Sequence, residues 1–224
     1  YQYHATQFFY YSNGCSMIKH IYKLPAYLLL ILSFNAFSDS VDDSSIELTP
    51  RSGFFIGVDV AASISGEVTA EVDDEETSSD IDTSLIGFYI GYRTKSNNRI
   101  RLARTAMDVE YKYGSDGDIP GTELDFQYVY GDDLVQPYLG FGFGLHTLKN
   151  EDNSFNDGDD LEGVSFKLQG GVKFDVHEHV ELDLSLQIKS IAWEEFYAFE
   201  DFGLEKVQLT HSHTALNFGA AYLF

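Results

Sequence analysis

Cysteine is almost missing from this chain, with one residue, Cys15, among 224. A single thiol excludes both a disulfide framework and a four-cysteine zinc site. Bases are scarce too: 14 Lys and Arg stand against 36 Asp and Glu, for a formal charge of −22. Nucleic-acid binding needs a basic stripe, so that class of partner is excluded. No apolar run reaches the roughly 18 residues that a membrane-crossing helix requires. What the chain has in quantity is aromatic and apolar: 15 Tyr, 18 Phe and 44% hydrophobic residues, too many for a disordered acidic tail. The length suits one domain, or at most two small ones.

The first 38 residues read as processing. Met17 is the first methionine, and residues 1–16 are expected to be an upstream extension foreign to the working protein. From Met17 a basic stretch with Lys19 and Lys23 leads into the apolar run Ala26 to Leu32. Ala36 and Ser38 follow as small residues, placing cleavage between Ser38 and Asp39. These are the three parts of a secretory signal peptide over residues 17–38, with an apolar core too short to span a bilayer. Residues 39–51 would then be a periplasmic N-terminal segment.

From residue 52 to 224 the dominant signal is alternation, the mark of strands with one apolar face. Eight segments show it. In the first, Phe54, Ile56, Val58 and Val60 oppose Gly57 and Asp59. In the third, Ala103, Met107, Val109 and Tyr111 oppose Arg104, Asp108, Glu110 and Lys112. In the seventh, Leu182, Leu184, Leu186 and Ile188 oppose Glu181, Asp183, Ser185, Gln187 and Lys189. A soluble sandwich would turn the large apolar residues inward, whereas a membrane barrel turns them to lipid and lines a narrow interior with charge and glycine.

The connections favour the barrel. After the second, fourth and sixth segments come only SNN, GDDL and HEH, while longer acidic stretches follow the odd-numbered segments. Short turns on one side and long loops on the other are the outer-membrane pattern. The expected fold is therefore all-β, an eight-stranded antiparallel transmembrane barrel with short periplasmic turns and longer acidic extracellular loops. Its expected location is the bacterial outer membrane.

Three motifs are familiar. SGFFIGVDV opens the barrel region, QPYLGFGFGLH runs from Gln136 to His146, and LNFGAAYLF closes the chain on Phe224. With these the chain resembles the eight-stranded outer-membrane β-barrel superfamily of Gram-negative bacteria, which includes the OmpA-type transmembrane domain and opacity-type proteins. The resemblance implies that Phe218, Tyr222 and Phe224 form the C-terminal signal read by the barrel-assembly machinery. It also implies outer-membrane lipids and lipopolysaccharide as surroundings, with a surface or host ligand as a further partner. Function varies widely within the superfamily, so fold and address follow from it more firmly than activity.

The charged residues give the candidate sites. A lumen network is expected from Asp59, Arg93, Arg104, Asp108, Glu110, Lys112, Asp125, Lys167, Lys173, Glu181, Asp183 and Lys189. An eight-stranded barrel leaves just enough interior for side chains, so these should pair into a plug; a conducting path is the other reading. Two acidic loop runs offer oxygen ligands to loosely held divalent cations: Asp73, Asp74, Glu75 and Glu76, and Asp157, Asp159 and Asp160. The second lacks the register of a calcium loop, and a solvated acidic surface is the simpler reading. No other cofactor is expected.

The pairs His177/His179 and His211/His213 could each supply two metal ligands but imply no third. His211 and Ser212 are adjacent and so point to opposite faces, which fails the geometry of a Ser–His pair. Trp193, Phe196, Tyr197, Phe199 and Phe202 read equally as an adhesive patch or as loop packing. The expectation is a non-enzymatic barrel with an envelope-structural and surface-interaction role. The alternatives are a narrow cation-favouring porin and, more remotely, a lipid A-modifying enzyme.

Overall fold

The computed structural model describes residues 52–72, 75–112, 116–131, 134–149, 160–200 and 203–224. The signal peptide with Ser38 and Asp39, the 39–51 segment, and Asp73, Asp74, Asp157 and Asp159 lie outside the described residues.

The chain forms β1 (Gly53–Val72), β2 (Glu75–Arg93), β3 (Arg99–Tyr111), β4 (Gly117–Val129), β5 (Val135–Leu148), β6 (Leu161–His177), β7 (Val180–Trp193), β8 (Phe196–Glu200) and β9 (Gly203–Leu223). Each strand from β1 to β6 pairs antiparallel with the next, β7 pairs with β9, and β9 returns to β1. Eight strands thus close a ring and leave no free edge. The ninth, β8, folds back only on the start of β9, from Phe196 opposite Val207 to Glu200 opposite Gly203. The stretch 193–209, which the sequence suggests is a loop, is therefore mostly a hairpin. The acidic stretches 67–72 and 75–80 are likewise strand, with Glu67 opposite Asp80 and Val72 opposite Glu75.

The outside of the ring carries the large apolar side chains. Phe54, Ile56, Phe88, Ile90, Leu139, Phe143, Val164, Ile188 and Leu216 are all exposed. A continuous belt of this kind has no place on a water-soluble monomer and matches a surface solvated by lipid. Tyr92, Tyr128, Tyr130, Tyr222 and Phe224 are exposed beside the short turns, the position of an interfacial aromatic girdle.

Inward glycines let the narrow interior hold rings. A Cβ on Gly57 would lie 2.3 Å from the Tyr89 ring, and one on Gly163 would lie 2.5 Å from the Trp193 indole. At the β2–β3 turn Asn97 has φ 64°, a left-handed conformation that asparagine tolerates better than most residues. Its buried amide donates to the Gly131 carbonyl at 2.9 Å and to Gln136 Oε1 at 2.8 Å, tying two short turns together beneath the barrel.

Candidate functional site: the barrel interior

The interior is stratified. Nearest the short turns, Gln136 Nε2 donates to Asp175 at 2.8 Å, and Arg93 lies 3.8 Å from the same carboxylate. Arg99 pairs with Glu181, and Lys173 bridges Glu181 at 3.3 Å and Asp183 at 2.6 Å. Tyr138 donates to Asp183 at 3.0 Å while its ring lies 4.7 Å from the Lys173 ammonium.

Above this sits a second chain of charges. Arg101 joins Asp59 at 3.1 Å to Asp125 at 2.8 Å, with its guanidinium over the Tyr89 ring. Lys167 carries the chain onward from Asp125 at 2.8 Å to Glu123 at 2.6 Å, and Lys189 closes it on Glu123 at 2.6 Å. Among the described residues the buried charged ones are six acids, Asp59, Glu123, Asp125, Asp175, Glu181 and Asp183, and six bases, Arg93, Arg99, Arg101, Lys167, Lys173 and Lys189. Every one of them has an opposite charge within ion-pair distance. Charges so far from water persist only when paired in this way.

Histidines follow. His146 Nε2 lies 2.9 Å from Ser165 Oγ and 3.8 Å from Glu123. Serine and acid thus meet the same ring nitrogen, whereas a nucleophile relay needs them on opposite nitrogens. Ser165 is also buried on the inward face of β6. Next, the Trp193 indole donates to His211 Nδ1 at 2.6 Å, and His211 Nε2 meets the Tyr111 hydroxyl at 2.8 Å. An indole N–H can only donate, so His211 Nδ1 accepts and Nε2 carries the ring proton toward Tyr111.

Beyond these the interior turns apolar. Val68, Ile81, Met107, Val109, Ile119, Leu148, Leu161, Ile191, Trp193, Phe196 and Val207 form one buried cluster. At this level the outward positions are polar, including Asp82, Ser84, Asp108, Glu110 and Ser190, all exposed.

This layering corrects several expectations. Arg104, Asp108, Glu110 and Lys112 lie on the outer surface, not in the lumen. Arg104 donates to Thr122 Oγ1 at 3.0 Å, and Lys112 pairs with Asp80 at 3.1 Å, both in exposed positions. The reason is that β3 runs past the lipid belt. There its outer face meets water, and Met107 and Val109 turn inward instead. Asp59, Arg93, Asp125, Lys167, Lys173, Glu181, Asp183 and Lys189 line the interior. Arg99, Arg101, Glu123 and Asp175 join them, though the sequence reading passed over them. Glu123 shares the phase of Asp125, and Asp175 that of Lys173, so the alternation carried their signal; Arg99 and Arg101 share the phase of Ala103, which the alternation set on the apolar face.

The metal readings are also corrected in part. Both His211 ring nitrogens are engaged by Trp193 and Tyr111, and no group of three metal-binding side chains occurs among the described residues. His179 instead ties the β6–β7 turn to the chain end, its Nδ1 lying 3.0 Å from the Leu223 carbonyl. Glu75, Glu76 and Asp160 are exposed. Ser212 points outward and meets Ser190 Oγ at 3.0 Å, on the face opposite His211. Of the aromatic cluster, Trp193 and Phe196 are buried in the apolar layer. At the C-terminus Tyr222 and Phe224 face outward with ring centroids 5.3 Å apart, and Phe218 is half-buried in the same phase.

Residues 25–224 match the model of the outer membrane protein beta-barrel domain. Among solved structures, the outer membrane protein OprG from Pseudomonas aeruginosa is similar at 17% identity, covering 77% of this chain and 96% of its own, with a TM-score of 0.50. Neisserial surface protein A is 18% identical over 78% of this chain and 99% of its own, with a TM-score of 0.46. The N-terminal barrel domain of OprF from Pseudomonas aeruginosa is 16% identical over 75% of this chain and 97% of its own, with a TM-score of 0.42. At 17% identity the likeness to OprG is one of fold. No curated protein sequence matches the chain.

Proposed function

Starting from the chain's membership of the outer membrane protein β-barrel family and its place in the bacterial outer membrane, we propose that it is a closed, non-enzymatic barrel. It braces the envelope and holds acidic hairpins above the membrane as a contact surface. The observation that carries this reading is the interior: a charge-balanced, fully paired network in the membrane zone, continued by an apolar plug above it. An ion entering such a lumen would have to break buried pairs and then cross an apolar layer, both costly in a low-dielectric space. The Ser165–His146–Glu123 geometry supports the non-enzymatic part.

The C-terminal residues Phe218, Tyr222 and Phe224 suit the assembly-signal role, sharing one outward phase at the strand that closes the ring. Lipopolysaccharide and loosely held divalent ions are the natural neighbours of the exposed acidic zone.

The test is single-channel recording in a planar bilayer after refolding in detergent. Silence from a protein that still shows a heat-modifiable gel band is the expected result. Steady cation-selective steps would replace the proposal with a narrow porin. Shortened lipid A acyl chains in cells expressing the protein, read by mass spectrometry, would replace it with an enzyme.

A further inference from the structure

The lipid-facing wall is not uniformly convex. A groove of about 800 Å³ crosses β3 to β7 on the outer surface. Ile100, Phe126, Leu139, Phe141, Leu168 and Ile188 are among its lining residues, and Gly170 leaves it open where the outward phase of β6 would otherwise place a side chain. The groove ends at Thr94 and Asn98 of the β2–β3 turn. Lys95 in that turn is exposed and is the one Lys or Arg in the short turns among the described residues.

We propose that this groove is a lipid site and that its occupant is a phospholipid of the periplasmic leaflet. Three observations fix the occupant. The groove lies inside the apolar belt, where the surrounding solvent is acyl chain. It sits in the half of the belt next to the short periplasmic turns, away from the lipopolysaccharide leaflet. Its polar end offers the Thr94 hydroxyl and the Asn98 amide, with the exposed Lys95 between them in the same turn, to an anionic phosphate, the pairing expected at the membrane interface. One acyl chain lies over Gly170 between the flanking leucines and phenylalanines, and the phosphate meets Lys95. This inference rests on the barrel spanning the membrane and not on whether its lumen conducts.

The test is native mass spectrometry of the full protein, released from detergent after incubation with palmitoyl-oleoyl phosphatidylethanolamine or with lipid A. One phosphatidylethanolamine adduct should survive collisional activation that strips all others. Gly170→Leu fills the groove; its Cβ would lie 3.2 Å from the mobile end of Leu139, so the side chain fits without moving backbone. That variant should hold the adduct about tenfold less well, in keeping with the loss of a buried apolar contact. Lys95→Glu leaves the wall untouched and should weaken retention about fivefold by placing like charges together, which keeps the test open if Gly170→Leu folds poorly. Equal retention by wild type and both variants would identify ordinary annular lipid and overturn the proposal. So would the absence of any adduct, or retention of lipid A in its place.

Discussion

The two halves of this barrel obey opposite rules with the same strands. In the membrane zone Phe88, Leu139 and Ile188 face out while Arg101, Asp125 and Lys167 are buried. Above it Asp82, Asp108 and Glu110 face out while Ile81, Met107 and Val109 are buried. Outside β1, whose register shifts between Ala62 and Glu67, the strands carry their two-residue period across the boundary unchanged. What changes is the solvent outside. A wall bathed in lipid sends its charges inward to pair, whereas a wall bathed in water buries its apolar side chains as any soluble protein does. β3 crosses the boundary, so Leu102 and Asp108 share one face with opposite chemistry.

The contrast can be broken most severely at Glu123, which serves both Lys167 and Lys189. Glu123→Ala should cost about 3–5 kcal/mol, because two ammonium groups lose a shared partner in a dry interior. Urea titration in lipid vesicles measures it, and adding Lys189→Ala should recover part of the loss. Trp193→Ala comes close behind, at about 3–5 kcal/mol for a buried aromatic. Here hydrogen exchange should rise around Tyr111, His211 and the apolar layer, with the lower charge network still protected. An equal rise in both halves would merge the two zones into one cooperative core.

The boundary itself can be mapped on β3. Cysteines placed at Asp108 and Glu110 should react with a membrane-impermeant maleimide on intact cells, while cysteines at Met107 and Val109 should react at least about tenfold more slowly, as buried thiols do. Matching rates at 107 and 108 would contradict the inversion. The smallest effect belongs to the exposed pair Lys112–Asp80. Lys112→Ala should shift stability by no more than about 1 kcal/mol, since solvent and salt already weaken such a pair. A larger loss there would mean that the upper wall depends on its surface charges as the lower one depends on its buried ones.

The inversion also explains how much could be read in advance. Eight segments, their antiparallel order and the side of the short turns were all legible, because period and turn length are local properties. On β7 the inward set Glu181, Asp183, Ser185, Gln187 and Lys189 could be listed residue by residue, since most of that strand lies inside the lipid belt. On β3 the same rule placed Arg104 and Asp108 inside when they lie outside. The alternation there is as clean as anywhere, but it reports which face is apolar and not which face is inward. Only the height of a residue relative to the membrane supplies that, and height is set by register across strands. The His211 relay was hidden for a related reason: Tyr111, Trp193 and His211 come from three strands and meet only when the ring closes.

β1 contains 20 residues. At about 3.3 Å per residue and a tilt near 40°, such a strand rises roughly 50 Å, about twice the height of an outer-membrane apolar belt. The surplus, roughly 20 Å or more, stands as a rigid stalk above the lipid, filled by its apolar plug. A large folded partner could therefore rest on the hairpin tips while its own surface stays clear of the sugars and phosphates around the barrel's base.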